Sequence, residues 1–368
     1  MNYLVQIFWV CFKLGVVGFG GPAAHIALMR QELVEKRKWL SESHFLDLMG
    51  FTNLIPGPNS TEMIMHCGRE RGGVLGLFAA GIAFITPAVI LTGLLASFYV
   101  EFGDNPWVAK FLKGLTPAVF IFILGATLKL GQKALKNKML YGIGILALIL
   151  SFLGLSEILV LALCSLGYFL FQQMDKKPDL KSLMPLGLMG SLTPIVSSLT
   201  TTTLFLKFLK IGGILYGSGY VLFAFVEGEF VTPGYLSYQQ LAEAIGIGQV
   251  TPGPVLSTAT FIGYQLLGWK GALLATLGIF LPSFLYVLFL GPHLHRWAQN
   301  KTIRVILDGV NASAVALIAV VLIQLGSTEL MGWMPLAHTA VLGLIYFYKK
   351  WTNPFLILGL STLLAFIY

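Results

Sequence analysis

Charge is scarce in this chain: Asp, Glu, Lys and Arg make up 11% of its 368 residues, whereas a soluble domain carries about 25%. Cysteine is scarcer still. Cys11, Cys67 and Cys164 each lie inside an apolar segment without paired spacing, so neither a disulfide framework nor a zinc site is indicated. No phosphate-cradling glycine loop, dinucleotide fingerprint or nucleophile–base arrangement occurs, which argues against an ATP-driven pump and implies no cofactor. His293 and His295, beside Arg296, offer too few ligands for a metal site. A basic leader with a cleavage site is also missing, so Met1 to His25 reads as a first membrane span, not a removed signal peptide. The net charge of +8 is no nucleic-acid footprint, because the basic residues sit in short clusters between apolar runs.

What the chain has instead is apolar surface. Hydrophobic residues make up 56%, 41 glycines come on top, and the mean hydropathy is +0.81. A water-soluble globule cannot hide that excess, so the chain reads as a polytopic protein with the lipid bilayer as its solvent. Segments of the required length, about 20 residues, fall near 3–25, 74–98, 111–131, 139–155 and 157–172. In the second half they fall near 206–228, 271–291, 305–326, 335–348 and 354–368. A Ser/Thr-rich linker, 182–203, is apolar enough to hide a further crossing.

Two further apolar stretches, 45–67 and 241–264, carry Pro56-Gly57-Pro58 and Pro252-Gly253-Pro254 near their middles. Two prolines around a glycine remove backbone donors and break a helix. Broken backbone survives at membrane depth only where protein or a water-filled cavity covers it. Both stretches are therefore expected to be re-entrant hairpins.

The hairpins belong to an internal repeat. Gly15, Phe19 and Gly20 match Gly212, Tyr216 and Gly217; Leu40-Ser41 matches Leu236-Ser237; Asn53 falls on Gln249, Thr61 on Ser257 and Gly72 on Gly268. Pro87 then meets Pro282, and Gly114 meets Gly309. The loop after the first span, 26–44, holds Arg30, Lys36, Arg37 and Lys38, whereas its counterpart, 227–241, holds Glu227 and Glu229 and no Lys or Arg. By the positive-inside rule the first loop faces the cytoplasm and the second does not. The same rule places Lys133, Lys136 and Lys138 inside and both termini outside. The expected fold is an all-α polytopic membrane protein of two inverted-topology repeats, 1–181 and 204–368 around the 182–203 linker. It would have about ten transmembrane helices plus two re-entrant Pro-Gly-Pro helical hairpins.

Inverted repeats with interrupted helices at matching positions are the signature of a secondary transporter whose site lies near the midplane. Asn59, Ser60, Thr61 and Glu62 follow the first Pro-Gly-Pro as helix-starting residues, and Ser257 and Thr258 follow the second. Free N–H groups, hydroxyls and a positive helix end suit a tetrahedral oxyanion; packing turns are the alternative. Candidate substrate-binding residues are Asn53, Pro56, Gly57, Pro58, Asn59, Ser60 and Thr61 in the first half. Gln249, Thr251, Pro252, Gly253, Pro254, Ser257 and Thr258 are those of the second. Lys13, inside the first span, would supply positive charge or else snorkel to the interface. Gly20 and Gly21 would form a ligand-facing turn or a packing contact. Glu62, which has Thr258 as its twin, would carry a proton or cap its helix. His25 and Arg30 would form a basic vestibule or a solvated face. Lys207 and Lys210 are expected to snorkel, and Glu227 and Glu229 to be solvated.

Phe19-Gly20-Gly21-Pro22-Ala23-Ala24-His25, Lys38-Trp39-Leu40 with Phe45-Leu46-Asp47, and the run Asn53 to Met63 closely resemble the first half of chromate ion transporter family proteins. Gln249 to Thr258 and Phe261-Ile262-Gly263-Tyr264 resemble that family's second half. The resemblance implies a two-domain transporter of the bacterial inner membrane that expels chromate by proton-coupled antiport; alternating access, by rocking around the site, is what the inverted repeats themselves lead one to expect. Sulfate, another tetrahedral dianion, is implied as a competitor or as the substrate of individual members. The expected partners are thus the oxyanion, protons and lipid, without nucleic acid, and a homodimer is left open. An oxyanion importer or anion channel on the same scaffold is the rival reading. An integral-membrane enzyme acting on lipid phosphate, using the His293/His295 loop, is a remoter one.

Overall fold

In the computed structural model, residues 3–19, 21–103, 105–174, 199–216, 219–294, 297, 300–348 and 353–366 are described. Gly20, Gly217, His295 and the 182–198 part of the linker lie outside them. Every regular element among the described residues is helical. Four stretches are long and apolar enough to cross a membrane: Asn59–Phe102, Pro106–Ala134, Val255–His293 and Lys301–Glu329. Shorter apolar helices occupy Tyr3–Val17, Lys138–Phe152, Glu157–Gln173 and Pro354–Ala365. The protein is thus an all-helical polytopic membrane protein.

The expected first span over 3–25 is not one helix. Helix α1 (Tyr3–Val17) stops at the glycine run, and α2 (Pro22–Met29) restarts with a proline in its first turn, where the missing N–H is no loss. A wide π-helical turn, Arg30–Lys36, follows. The chain has by then returned to its start: the Arg71 guanidinium lies 5.0 Å from the Tyr3 ring and 5.6 Å from that of Trp39. The beginning of α1 and the basic 26–44 loop therefore share one face, which corrects the expectation that residue 3 lies opposite that loop.

Helix α3 (Glu42–Thr52) begins at Ser41, whose hydroxyl accepts the His44 amide, and α4 (Asn59–Phe102) starts directly after Pro56-Gly57-Pro58. His44 and Glu70 meet at 3.5 Å, so the stretch 45–67 leaves and returns at one end. Helix α4 then breaks at Gly72 and Gly73, with Gly73 at φ 61°, ψ −150°. Its second arm, with α5 (Pro106–Lys113), α6 (Leu115–Ala134), α7 (Lys138–Phe152) and α8 (Glu157–Met174), completes the first half.

The second half repeats the plan. Helix α9 (Thr201–Ile214) breaks before α10 (Val221–Val226), and a π-helical turn, Glu227–Val231, follows. The expected span over 206–228 therefore turns back as well: Lys207 and Lys210 each lie 2.6 Å from Glu229. The two lysines do not snorkel. Nor is Glu227 solvated; it is buried and accepts hydrogen bonds from Thr232 and Tyr238. Helix α11 (Tyr238–Val250) opens with a capping box of Ser237 and Gln240. After the second Pro-Gly-Pro, a 3₁₀ turn, Val255–Ser257, leads into α12 (Thr258–Leu285), which breaks at Leu267 and Gly268, the latter at φ 60°, ψ −152°. The 3₁₀ turn takes fewer residues per turn than an α-helix, so the second arm is one residue shorter. Gly268 is consequently the twin of Gly73, and Gly72 pairs with Leu267, one place off the sequence match. Helices α13 (Lys301–Glu329), α14 (Trp333–Tyr348) and α15 (Pro354–Ala365) close the chain.

Glycine lets these helices approach closely. A Cβ on Gly15 would lie 3.2 Å from the Phe84 carbonyl carbon, and one on Gly212 would lie 2.9 Å from that of Ile279. The short first helix of each half thus lies along that half's long crossing helix. The two crossing helices pack antiparallel: Phe78 stacks on Phe284 at 5.5 Å, while a Cβ on Gly93 would be 2.9 Å from the Trp269 ring.

Candidate functional site

Each Pro-Gly-Pro turn has one amide donor, its glycine, because proline has none. Gly57 N donates to the Leu215 carbonyl at 2.6 Å, and Gly253 N donates to the Gly18 carbonyl at 2.7 Å. Those carbonyls end α9 and α1, where helix geometry leaves acceptors without intrahelical partners. Each turn therefore satisfies the broken helix of the other half. Both glycines have positive φ, 136° and 91°, a region that side chains disfavour.

The polar residues around the turns fall into small groups. Asn59 Nδ2 donates to Asn53 Oδ1 at 2.7 Å, and Asn53's own carbonyl accepts the Tyr216 hydroxyl. Buried His25 bridges Ser60 Oγ (3.2 Å) and the Gly18 carbonyl (3.0 Å). A carbonyl only accepts, so Nε2 carries the hydrogen and Nδ1 of the neutral ring accepts from Ser60. His25 is thus a clasp between the Gly18 break and the first half-helix, not part of a basic vestibule. Arg30 is exposed and bound to Glu35 and Glu42. The twins of His25 and Ser60 are Leu222 and Leu256, so the clasp exists once.

Thr251 and Thr258 donate to carbonyls of their own segments, Ile247 and Val255, at 2.7 Å each. Other groups have no hydrogen-bond partner among the described residues: Thr61 Oγ1, Ser257 Oγ and Gln249 Nε2, all buried. Gln249 Oε1 lies 3.5 Å from the Tyr220 hydroxyl. Glu62 and Ser283 crowd the same α-carbon: a Cβ on Gly57 would collide with the carboxyl and lie 2.6 Å from the Ser283 hydroxyl. The corresponding neighbour of Gly253 is the Ala88 methyl, at 2.9 Å. The carboxyl–hydroxyl pairing is therefore confined to one of the two turns.

Lys13 is not brought into this group. Its side chain is exposed, and its charge acts on Glu32. Glu32's carboxyl is held below the usual range chiefly by the Arg37 hydrogen bond, with Lys36 and Lys13 adding smaller Coulombic pulls. Lys13 is the twin of Lys210 and Glu32 that of Glu229, but only the second half closes the pair, Lys210 lying 2.6 Å from Glu229 while Glu32 binds Lys36 and Arg37. Gly21 has positive φ, 80°, at the α2 start, with open space around it.

Sequence reasoning missed Tyr216, Tyr220 and Ser283 and misread His25. Ser283 carried a signal: it follows Pro282, the twin of Pro87, and stands where the first half has Ala88.

Two half-helix starts, each with a buried hydroxyl that has no partner among the described residues, lie in a chain of broken apolar helices, a pattern met in membrane transporters. The sequence profile of the chromate transporter family matches residues 5–169 and again 202–366, and the chain belongs to that family. It is 28% identical over 371 residues to the chromate transport protein of Cupriavidus metallidurans, covering 97% of this chain and 91% of that protein. It is 29% identical over 335 residues to the chromate transport protein of Pseudomonas aeruginosa, covering 87% and 80%. An uncharacterized transporter of Methanocaldococcus jannaschii is 27% identical over 381 residues, covering 99% and 94%. No solved structure matches the chain. The protein is an ion transporter of this family, not an enzyme.

Proposed function

We infer that the protein exports chromate, or a similar tetrahedral dianion such as sulfate, across the bacterial inner membrane in exchange for protons, by alternating access. The observation that carries this reading is the pair of buried, unpartnered hydroxyls, Thr61 and Ser257, one turn beyond each Pro-Gly-Pro. A hydroxyl left without a partner inside a protein is costly unless a ligand completes it. The Gln249 amide and the positive ends of two half-helices add neutral donors for an anion. Glu62, a buried carboxyl with no cation beside it among the described residues and the Ser283 hydroxyl as its neighbour, is the group that would carry the proton. Asn53, Asn59, Ser60, Thr251 and Thr258 frame the site.

Antiparallel packing of α4 on α12 and the exchange of hydrogen bonds between the turns both support an inverted, two-fold arrangement of the repeats. Arg30, Lys36, Arg37 and Lys38, on the face where Arg71 meets Trp39, support a cytoplasmic position for that face by the positive-inside rule. Rocking of one half against the other would open the turns to each face alternately.

Titration calorimetry of purified protein with chromate and with sulfate tests the site. Saturable binding of chromate, competed by sulfate, is expected. Thr61→Val and Ser257→Ala should each weaken it by about tenfold, the value of one hydrogen bond to a charged group. Wild-type affinity in the folded double variant would remove the turns as the binding site.

A further inference from the structure

A cavity of about 220 Å³ lies between α6 and α13, and Asn53 and Asn59 form part of its wall. We propose that it is a loading site, where a tetrahedral oxyanion waits on the cytoplasmic face before reaching the turns, held by Lys133 and admitted by opening of the Lys136–Asp308 ion pair. The proposal rests on the reading of the turns as an oxyanion site.

The lining has two kinds of wall. Toward the turns stand Asn53, Asn59 and Tyr216; toward the face stand Lys133, Lys136, Asp308 and Asn311. The inner wall is held by the Asn59–Asn53 hydrogen bond and by Tyr216 on the Asn53 carbonyl. A carboxamide nitrogen has two hydrogens, and among the described residues one on each of Asn53 and Asn59 is engaged, with Met49 O and Asn53 Oδ1 respectively. The inner wall therefore still presents donors to an anion.

The outer wall carries the charge. Lys136 binds Asp308 at 2.7 Å, with 58% of the lysine side chain exposed. Lys133 has no hydrogen bond or ion pair among the described residues, and its side chain is exposed. Two lysines against one aspartate leave one net positive charge. If Asp308 swings away, both cations face the cavity and balance a dianion. An ion pair this exposed is weak in water, so a doubly charged anion competes with Asp308 for Lys136 on favourable terms. A monovalent anion brings half the attraction, so this wall also selects for charge.

The test is the initial rate of chromate uptake into everted and right-side-out vesicles, measured over a range of concentrations. Lys133→Gln should raise the half-saturating concentration about tenfold for transport starting from the cytoplasmic face, as loss of one charged hydrogen bond implies, and leave transport from the other face unaltered. Asp308→Asn, which releases Lys136, should lower it. Lys138→Gln removes an equal charge from an exposed lysine of the same face that does not line the cavity, and should change nothing. An unchanged half-saturation in Lys133→Gln, or an equal shift in Lys138→Gln, would overturn the loading site. The two readings fail separately. Loss of binding in Thr61→Val with no effect of Lys133→Gln removes only the loading site, whereas wild-type binding in Thr61→Val with Ser257→Ala removes the turns.

Discussion

The Gly253 amide donates to the Gly18 carbonyl at 2.7 Å, so the second half of the chain completes a helix that the first half leaves broken. Gly57 and Leu215 repeat the bond in the opposite sense at 2.6 Å. Neither turn is satisfied within its own repeat, and any movement of one half against the other must stretch or carry both bonds. The symmetry ends at the side chains: Glu62, Ser283, His25 and Ser60 have Thr258, Ala88, Leu222 and Leu256 as twins.

His25 binds that asymmetry together. His25→Leu copies the second repeat but leaves the Ser60 hydroxyl without its acceptor, and should cost about 1–3 kcal/mol of stability. Adding Ser60→Leu, which copies Leu256, should recover part of the loss. Thermal unfolding of the single and double variants in detergent gives the coupling; strictly additive losses would show that no clasp exists.

The turn glycines and the kink glycines should respond differently. Gly57→Ala and Gly253→Ala combine positive φ with collisions against the Glu62 carboxyl and the Ala88 methyl, and are expected to yield no folded transporter. Gly73→Ala meets open space, so only backbone strain of about 1–3 kcal/mol is added. It should fold with a lowered melting temperature. Expression and size-exclusion profiles distinguish the two outcomes.

Glu62→Gln keeps the shape of the buried carboxyl and removes its proton chemistry. Chromate binding should persist, while transport ceases to follow an imposed pH gradient. Gradient-driven transport surviving in Glu62→Gln vesicles would assign coupling to another group.

The Arg37–Glu32 bond closes the first hairpin at the basic face. Because the folded carboxyl titrates below its unfolded range, this contribution is complete at neutral pH and is lost as pH falls through the depressed value. Acidification should therefore lower the melting temperature more in the wild type than in Glu32→Gln. Lys210→Met, which breaks the 2.6 Å contact with Glu229, should lower stability more than Lys13→Met, and Lys13→Met should leave the half-saturating anion concentration unchanged.

The facing of the two halves can be read with a membrane-impermeant maleimide, since Cys11, Cys67 and Cys164 are buried. Lys38→Cys and Lys138→Cys should label from the cytoplasm, and Gln239→Cys and Met331→Cys from the opposite side. Labelling of Lys38→Cys and Gln239→Cys from one face would rule out inversion.

Much of this was legible along the chain. Apolar runs of membrane length, scarce charge and a twice-written Pro-Gly-Pro depend on composition and local backbone chemistry, which a sequence states directly. The same holds for the helix breaks after each turn, because proline lacks a donor wherever it stands. Three things needed the tertiary structure. The first hairpin of each half, between α1 and the Arg30–Lys36 turn and between α9 and the Glu227–Val231 turn, reads as one apolar span. Hydropathy records depth in lipid and carries no information on whether a glycine break reverses the chain. Lys13 looked like a site cation because intramembrane charge is costly, yet its direction around α1 and the position of Glu32 decide what it meets. His25 meets Ser60, 35 positions away, and Ser283 meets the Gly57–Glu62 corner from the other half of the chain, and a buried polar group is defined by whichever segments fold against it.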